Sequence, residues 1–265
     1  MLHADVLAQT ICDLLEAEAA TRKPRDVLPL ERRLTRALRA TWRAQSRAVL
    51  AALDRHRSQF DEAVEADVLD QAVHHDPRLE ATLAEVLAQA VARGGRSAVV
   101  DLGTLAAFDL DFPDAVAWLE GRAAARVAAI DDTTRDYLRT ILRQAGEEGW
   151  SYQRTARRIT DRFAEFARGV PQQHIRSRAE LIAVTELGEA YETGHRIGAA
   201  RLEAQGLAIE KQWLSAGDER VCPQCAPAAA EGWIANRDQF ANGLDGPPGH
   251  PGCRCATQRR VKETP

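Results

Sequence analysis

Four of the five cysteines of this 265-residue chain lie in or beside two short motifs near its C-terminal end. The first motif is Cys222-Pro-Gln-Cys225, and the second is His250-Pro-Gly-Cys253. Both have the order ligand, proline, spacer, ligand. A tight turn of this kind points its two end side chains in one direction, and two such turns brought face to face supply the four soft ligands that tetrahedral zinc prefers. The spacing therefore predicts a structural zinc site.

Five candidate ligands compete for the four positions of such a site. Repetition of the turn favours Cys222, Cys225, His250 and Cys253. Cys255 could replace Cys253, because residues two apart on a strand share a face. The ligand set is thus narrowed to five residues, and the choice among them stays open at the level of sequence.

Other chemistries compete with a structural metal at these cysteines. A redox C-x-x-C motif requires a preceding strand and a helix that starts on it, and Pro227 leaves such a helix undecided. A disulfide requires maturation outside the cytosol, and no signal peptide is visible. A catalytic zinc needs an open position and a nearby general base. Asp218 and Glu219 are close in sequence, but we expect them to order the loop, and we favour structural zinc.

Composition narrows the class of protein. The net charge of -4 and the pI near 6.0 provide no global basic field that would draw the chain onto nucleic acid. The hydrophobic content of 45% is rich in alanine and aromatic residues make up only 5%, which favours helices over a β-sandwich. No apolar run is long enough to span a bilayer. We expect a mainly α protein that is soluble and made in the cytoplasm.

Helical periodicity of apolar residues covers the first part of the chain. We predict an amphipathic helix over residues 1–22, with Cys12 as a buried, inert thiol. A second long helix is predicted to begin at Pro29. A third helical stretch runs from Asp61 to Arg93, is interrupted by a predicted turn at His74-His75-Asp76-Pro77, and is predicted to end at Gly94-Gly95.

The next part of the chain is predicted to alternate between loop and helix. Residues 101–113 show no clear period and are predicted to form a loop. A helix is predicted from Ala115 to about Ile130. The segment Asp131-Asp132-Thr133-Thr134 resembles an N-cap cluster for another helix that continues through Leu142. Residues 1–148 together are predicted to form a helical N-terminal region.

The second predicted helix carries an arginine-rich face, formed by Arg32, Arg33, Arg36, Arg39, Arg43 and Arg47. Such a stripe could contact an acidic protein or nucleic acid. The alternative is a solvated face whose arginines pair locally with acids. Because the whole chain is not basic, we favour the solvated face.

The last third of the chain is predicted to mix helices and strands. One helix covers Ser151–Phe166, and a longer one ends at Gly206. Strands are predicted for Leu207–Leu214 and for Cys255–Val261. The long helix contains three glycines on one side, which predict a close approach of another element: Gly188, Gly194 and Gly198. The predicted fold is mainly α, with a smaller α+β, metal-clipped C-terminal domain.

The order of motifs in this region resembles the head-morphogenesis, or minor capsid, proteins of tailed phages and prophages, the phage Mu F-like group. The likeness covers about residues 150–260. The positions that carry it are Thr185, Glu186, Lys211, Trp213, Asp218, Arg220, Cys222, Cys225, His250, Cys253, Arg254 and Cys255. One departure is Val184, where the family commonly has an arginine before the Thr-Glu pair.

The resemblance implies a few-copy component of the virion that acts in assembly, with residues 149–265 as the Mu F-like domain. We expect this component to be non-enzymatic, with the structural zinc predicted from the cysteine spacing as its cofactor. The resemblance also implies association with the portal protein and the major capsid protein at the inner capsid and portal vertex. Packaged DNA is implied as a further partner, and some members of the group leave the head with the DNA. No membrane is implied in the assembled head.

Two other functions remain open on the sequence. The first is a zinc-containing nuclease or toxin-like effector, which would need a pocket gathering Glu186, Asp218, Arg220 and His250. The second is a nucleic-acid-binding module that uses the arginine-rich face and a basic tail. The tail residues are Arg259, Arg260 and Lys262.

Overall fold

The computed structural model describes residues 26–56, 61–72, 74–168, 177–215 and 222–262. The predicted helix 1–22, Cys12, and the segment containing Asp218, Glu219 and Arg220 lie outside these residues. Eight helices and three strands occur in the described part of the chain, so the predicted mainly α fold with a small β element is confirmed. The helices are α1 (Leu28–Asp54), α2 (Glu62–Ala72), α3 (Pro77–Asp101), α4 (Pro113–Leu119), α5 (Arg122–Glu147), α6 (Tyr152–Arg168), α7 (Arg178–Ala204) and α8 (Ala226–Ala230). The strands are β1 (Ile209–Leu214), β2 (Ile234–Ala235) and β3 (Ala256–Val261).

The chain divides into two compact units, each built from separate stretches of sequence. We call Glu31–Val86 with Trp118–Ala183 the helical unit, and the described residues 26–30 with Leu87–Ala117 and Val184–Pro265 the cysteine unit. Both units therefore take residues from either side of position 148. The predicted division into regions 1–148 and 149–265 stays a prediction. Among the described residues, no helix combines the length and the apolar character needed to cross a membrane.

The helical unit is built on apolar faces that repeat at helical spacing. The α1 side chains of Leu34, Leu38 and Trp42 are buried, as are Leu138 on α5 and Ile159 on α6. This burial places one apolar face of α1 in the core of the unit. Large aliphatic side chains removed from water provide most of the stabilisation of such a unit.

The Asp131–Thr134 segment does not begin a helix, contrary to prediction. The break in the chain comes earlier, at Gly121, whose φ of 67° is left-handed, and α5 then runs without interruption from Arg122 to Glu147. Asp131 is buried and accepts a hydrogen bond from Gln45 Nε2 at 2.8 Å. The Thr134 hydroxyl bonds back to the Ile130 carbonyl inside the helix. Asp and Thr residues are typical of helix N-caps, which is why this segment resembles one in the sequence. Here both side chains are buried in the middle of a helix and make hydrogen bonds there.

The glycine pair in α3 also behaves differently from the prediction. Gly94-Gly95 does not end the helix, which continues to Asp101. A Cβ at Gly94 would lie 1.8 Å from the Tyr191 carbonyl oxygen on α7, and a Cβ at Gly194 would lie 1.9 Å from the Val91 carbonyl oxygen. The two helix backbones thus meet at facing glycines. The close approach predicted for Gly194 is confirmed, and the same packing explains why glycine occurs inside α3.

A three-stranded antiparallel sheet closes the cysteine unit, in the order β2-β1-β3. The central strand β1 pairs Lys211 with Arg259 and Trp213 with Thr257 on β3. Side chains of β1 alternate between buried and half-buried, which confirms the predicted strand and its inward residues Ile209, Lys211 and Trp213. The short strand β2 was not predicted, because two residues carry no periodicity.

Candidate metal centre

The first cysteine motif forms a tight turn that leads into a helix. The Cys225 amide donates to the Cys222 carbonyl oxygen at 3.0 Å, so the two residues close a turn across Pro223 and Gln224. Cys225 then occupies the N-cap position of the five-residue helix α8. The sequence left undecided whether a helix follows this motif, and the structure shows a short one.

The second motif folds in the same way. The Cys253 amide donates to the His250 carbonyl oxygen at 3.1 Å. Gly252 between them has a φ of 75°, a left-handed conformation that explains glycine in the spacer position. The repeated sequence order therefore corresponds to a repeated turn. Cys255 follows directly before β3 begins at Ala256.

The two turns lie against each other, although 24 residues (226–249) separate them in the sequence. The ligand atoms of Cys222, Cys225 and His250 all lie within 4.8 Å of one another, and so do the sulfur atoms of Cys225, Cys253 and Cys255. Cys225 belongs to both groups. All five predicted ligands are thus gathered in one cluster, which could hold a metal ion.

The sulfur atoms are close but not bonded to each other. The four cysteines of the cluster are free thiols. The Cys225 and Cys253 sulfurs are 3.9 Å apart, whereas a disulfide requires about 2.05 Å. Both of these side chains are buried, and Cys222 and Cys255 are half-buried. The described geometry is that of converging ligands.

Crowding of the sulfurs shifts their pKa values in opposite directions. Hydrogen bonds from Cys225 and then Cys255 lower the pKa of the Cys253 thiol to about 2. The same contact with Cys253, reinforced by Cys255 and by burial, raises the pKa of Cys225 far above its ordinary value. The shifts favour the thiolate form at Cys253 and the thiol form at Cys225 while no metal is bound. A thiolate is the form of cysteine that binds metal.

An apolar shell surrounds the cluster. Trp213 on β1 and Phe240 are buried and meet edge to face, with ring centroids 5.2 Å apart. A Cβ on Gly249 would lie 3.2 Å from the Cys225 sulfur and 3.6 Å from the Trp213 ring. A shell of this kind limits solvent access and lowers the local dielectric around a metal site.

Motif residues outside the cysteines hold the two turns in place. The Thr185 hydroxyl on α7 accepts a hydrogen bond from the Gly252 amide at 2.8 Å, inside the second turn. Lys211 is buried, and its Nζ donates at 2.8 Å to the carbonyl oxygen of Asp245 in the chain segment between the turns. Burial, followed by the charge of Arg259, lowers the pKa of Lys211. Thr185 and Lys211 therefore support the segments that carry the ligands.

Arg259 on β3 is a further supporting residue. The nucleic-acid-binding alternative places it in a basic tail, but it is buried and its NH2 contacts Glu192 Oε1 at 3.0 Å. It also bonds to Asn236 Oδ1 and to His195 Nδ1, and His195 Nε2 contacts an aspartate on α3 at 2.9 Å. Side chains along β3 alternate between half-buried and buried, and Arg259 lies on the buried side together with Thr257.

The pocket required by the enzyme alternative is not completed by the described residues. Glu186 is buried on α7, whereas Asp218 and Arg220 lie outside the described residues. A cavity of about 370 Å³ occurs nearby, lined by Glu189, Glu192, Thr193, Arg196, Leu244, Asp245, Gly246, Pro247 and Pro248. Its lining includes neither Glu186 nor any of the five cluster ligands.

Comparison with known proteins finds a family likeness for part of the chain. Residues 136–258 match a family described as phage Mu protein F like protein. The matched segment runs from within α5 into β3 and includes all five cluster ligands. The resemblance predicted from the motifs is confirmed. No curated protein and no solved structure matches the chain.

Proposed function

We propose, from the phage Mu F-like character of residues 136–258, that this chain is a non-enzymatic minor head protein of a tailed phage or prophage. Its partners are the portal protein and the major capsid protein, and its place is the interior of the capsid at the portal vertex. The observation that carries the proposal is the family match over the segment that contains the complete cysteine cluster.

We further propose that the cluster binds one structural zinc ion. Zinc–sulfur bonds of about 2.3 Å at tetrahedral angles separate two sulfurs by about 3.8 Å. The Cys225–Cys253 separation of 3.9 Å fits this value. A sulfur-rich ligand set in an apolar shell suits zinc better than magnesium or calcium, which prefer oxygen ligands.

The ligands that we assign to zinc are Cys222, Cys225, His250 and Cys253, the ends of the two turns. His250 Nδ1 lies 2.9 Å from the Pro251 carbonyl oxygen, to which a ring N–H donates. That hydrogen bond leaves Nε2 as the free lone pair, an arrangement common in metal-bound histidines. Cys255 stands beside this set, where it hydrogen-bonds to the Cys253 sulfur.

The metal gives the cysteine unit a rigidity that its sheet does not supply. The sheet has three strands, and β2 contains two residues. Structural zinc contributes about 10–16 kcal/mol of apparent binding free energy in small finger peptides. Four protein ligands would close the coordination sphere, which suits a docking module and leaves no open position for a reacting water.

The test is recovery of partners from a phage-producing cell. Tagged wild-type chain is captured before and after head assembly, alongside a Cys225→Ser variant and a Cys12→Ser control. We expect portal and capsid subunits with the wild-type chain and the control, and loss of both with Cys225→Ser. Recovery of neither subunit with the wild-type chain would contradict the assembly proposal.

A further inference from the structure

The outer face of α1 carries a row of arginines that belongs to the arginine-rich face predicted from the sequence. Arg32, Arg36, Arg43 and Arg47 are exposed. None of them has a hydrogen bond or ion pair with another residue in the described ranges. We call these four residues the arginine row. The exposure of the row agrees with the predicted solvated face, whereas the predicted pairing with local acids is not seen for these four arginines among the described residues.

Helix geometry places the four guanidinium groups on one line. With 3.6 residues per turn and 1.5 Å per residue, the row covers about 60° of the helix circumference and about 22 Å of its length. The intervening arginines are used elsewhere in the helical unit. Arg33 pairs with Glu85, and Arg39 donates to the Ser177 hydroxyl at 3.1 Å.

The charge of the row is not balanced within α1. The helix contains two carboxylates, Glu31, which is buried, and Asp54, its last residue. Neighbours four residues apart on a helix are about 5–6 Å from each other, which is shorter than the Debye length of about 8 Å at physiological salt. The cations of the row therefore repel one another in the free protein, and a polyanion relieves that repulsion.

The chemistry of this face favours a phosphate backbone over an acidic protein. A protein interface usually has an apolar, often aromatic centre. The only aromatic residue of α1, Trp42, is buried, and its one large hydrophobic residue with substantial exposure is Leu28 at the helix start. Arginine provides a planar fork that matches phosphate oxygens. The absence of an exposed aromatic from α1 also removes the stacking surface that single strands use.

We infer that the arginine row is a docking surface for the phosphate backbone of double-stranded DNA, bound without sequence preference. Duplex DNA carries one negative charge per about 1.7 Å of axis, so the length of the row faces about 13 phosphates. Two of the three residues of the basic tail are already engaged within the protein, because Arg259 is buried and Arg260 pairs with Glu210 at 2.9 Å. The assembly proposal assigns no surface to portal or capsid subunits, so this inference does not rest on it.

The experiment measures binding of the purified full chain to a fluorescent 30-base-pair duplex by anisotropy, at about 50–200 mM NaCl. Four phosphate contacts give a slope of about -3.6 for log K against log salt, so affinity falls about 150-fold over this range. The variant R32Q/R36Q/R43Q/R47Q is expected to lose binding at 50 mM NaCl. Glutamine keeps a good helix propensity at these exposed positions.

A matched variant distinguishes the contribution of the arginine row to DNA binding from that of the net charge of the chain. R135Q/R143Q/R154Q/R162Q removes the same four charges from arginines that pair with Asp132, Glu65, Glu148 and Glu165. We expect this control to keep at least a third of the wild-type affinity. Thermal melts of both variants, and the milder R36Q/R43Q variant, distinguish lost binding from lost folding.

Three results would overturn the inference. They are absence of duplex binding at 50 mM NaCl, equal loss in the row variant and the control, and displacement of DNA by polyglutamate at equal charge concentration. The last result would assign the row to an acidic protein. None of these outcomes depends on whether the chain assembles with portal or capsid subunits.

Discussion

The helical unit and the cysteine unit bury their interiors by different means. The helical unit removes long aliphatic side chains such as Leu38 and Leu138 from water. The cysteine unit also buries aliphatic side chains such as Leu202, but it adds to them a buried ionic group, formed by Lys211, Arg259 and Glu192, and a sulfur cluster. Apolar burial tolerates changes in conditions, whereas a buried ionic and thiol interior depends on every partner being present. The comparison shows that one chain can combine a unit held by packing with a unit held by ligands.

The strongest way to break this comparison is to remove Cys225, which belongs to both groups of ligand atoms. We expect Cys225→Ser to abolish stable zinc binding, with a loss of several kcal/mol from the 10–16 kcal/mol typical of structural sites. Amide exchange should rise across residues 209–262 and stay unchanged in α5 and α6. Exchange mass spectrometry with metal analysis measures both effects. An equal rise of amide exchange in the cysteine unit and in the helical unit would contradict the view that the metal stabilises only the cysteine unit.

Arg259 and Arg260 offer a test of the buried ionic interior at neighbouring positions. Arg259→Leu leaves Glu192 buried without its cation, and we expect about 3–5 kcal/mol of lost unfolding free energy. Arg260 pairs with Glu210 at a partly exposed site, so Arg260→Leu should lose about 0.2–1 kcal/mol. Denaturant titration measures the difference. Equal effects of the two substitutions would show that Arg259 has no special role.

A cavity made in the core of the helical unit should lower the stability of that unit and leave zinc binding unchanged. Leu138 is 1% exposed on α5, and Leu138→Ala is expected to lower the free energy of unfolding by about 2–5 kcal/mol. Zinc content per folded chain should stay at one equivalent. Leu138→Met, which preserves volume, is the control and should lose under about 1.5 kcal/mol. Loss of zinc from the alanine variant would show that the metal depends on the helical core.

Substitutions of Thr185 test, with a smaller expected effect, whether a supporting residue of the cysteine unit contributes to zinc affinity. Thr185→Val removes the acceptor of the Gly252 amide while keeping the shape, and an unsatisfied amide loses about 1–3 kcal/mol. We expect zinc affinity to fall about tenfold, the lower end of what supporting residues contribute. Thr185→Ser keeps the hydroxyl and should bind zinc as the wild type does. A competition titration with a chromogenic chelator compares the three proteins.

The sequence predicted those features of the structure that depend on residues close together in the chain. The two turns were predictable because ligand spacing and glycine requirements are local, and β1 and β3 because alternation is local. The interior position of Gly94 in α3 was not predictable, since it depends on a backbone carbonyl of α7 about a hundred residues away. The N-cap predicted at Asp131 is wrong for the same reason, because the hydrogen-bond partner of Asp131, Gln45, lies on a helix distant in the sequence.

The sequence also could not predict which arginines are buried in ion pairs and which are exposed. Arginines of α1 and β3 have the same residue type, but Arg259 is buried against Glu192 while Arg36 is exposed without a described partner. Only tertiary structure separates a structural cation from one that is available to a ligand.

Zinc stoichiometry and coordination test the central claim most directly. The wild-type chain is purified under reducing conditions, its metal is quantified, and X-ray absorption is recorded at the zinc edge. We predict one zinc per chain, coordinated by three sulfurs at about 2.3 Å and one nitrogen at about 2.0–2.1 Å. Less than about half an equivalent of zinc, or cysteines joined as disulfides in the reduced protein, would contradict the account.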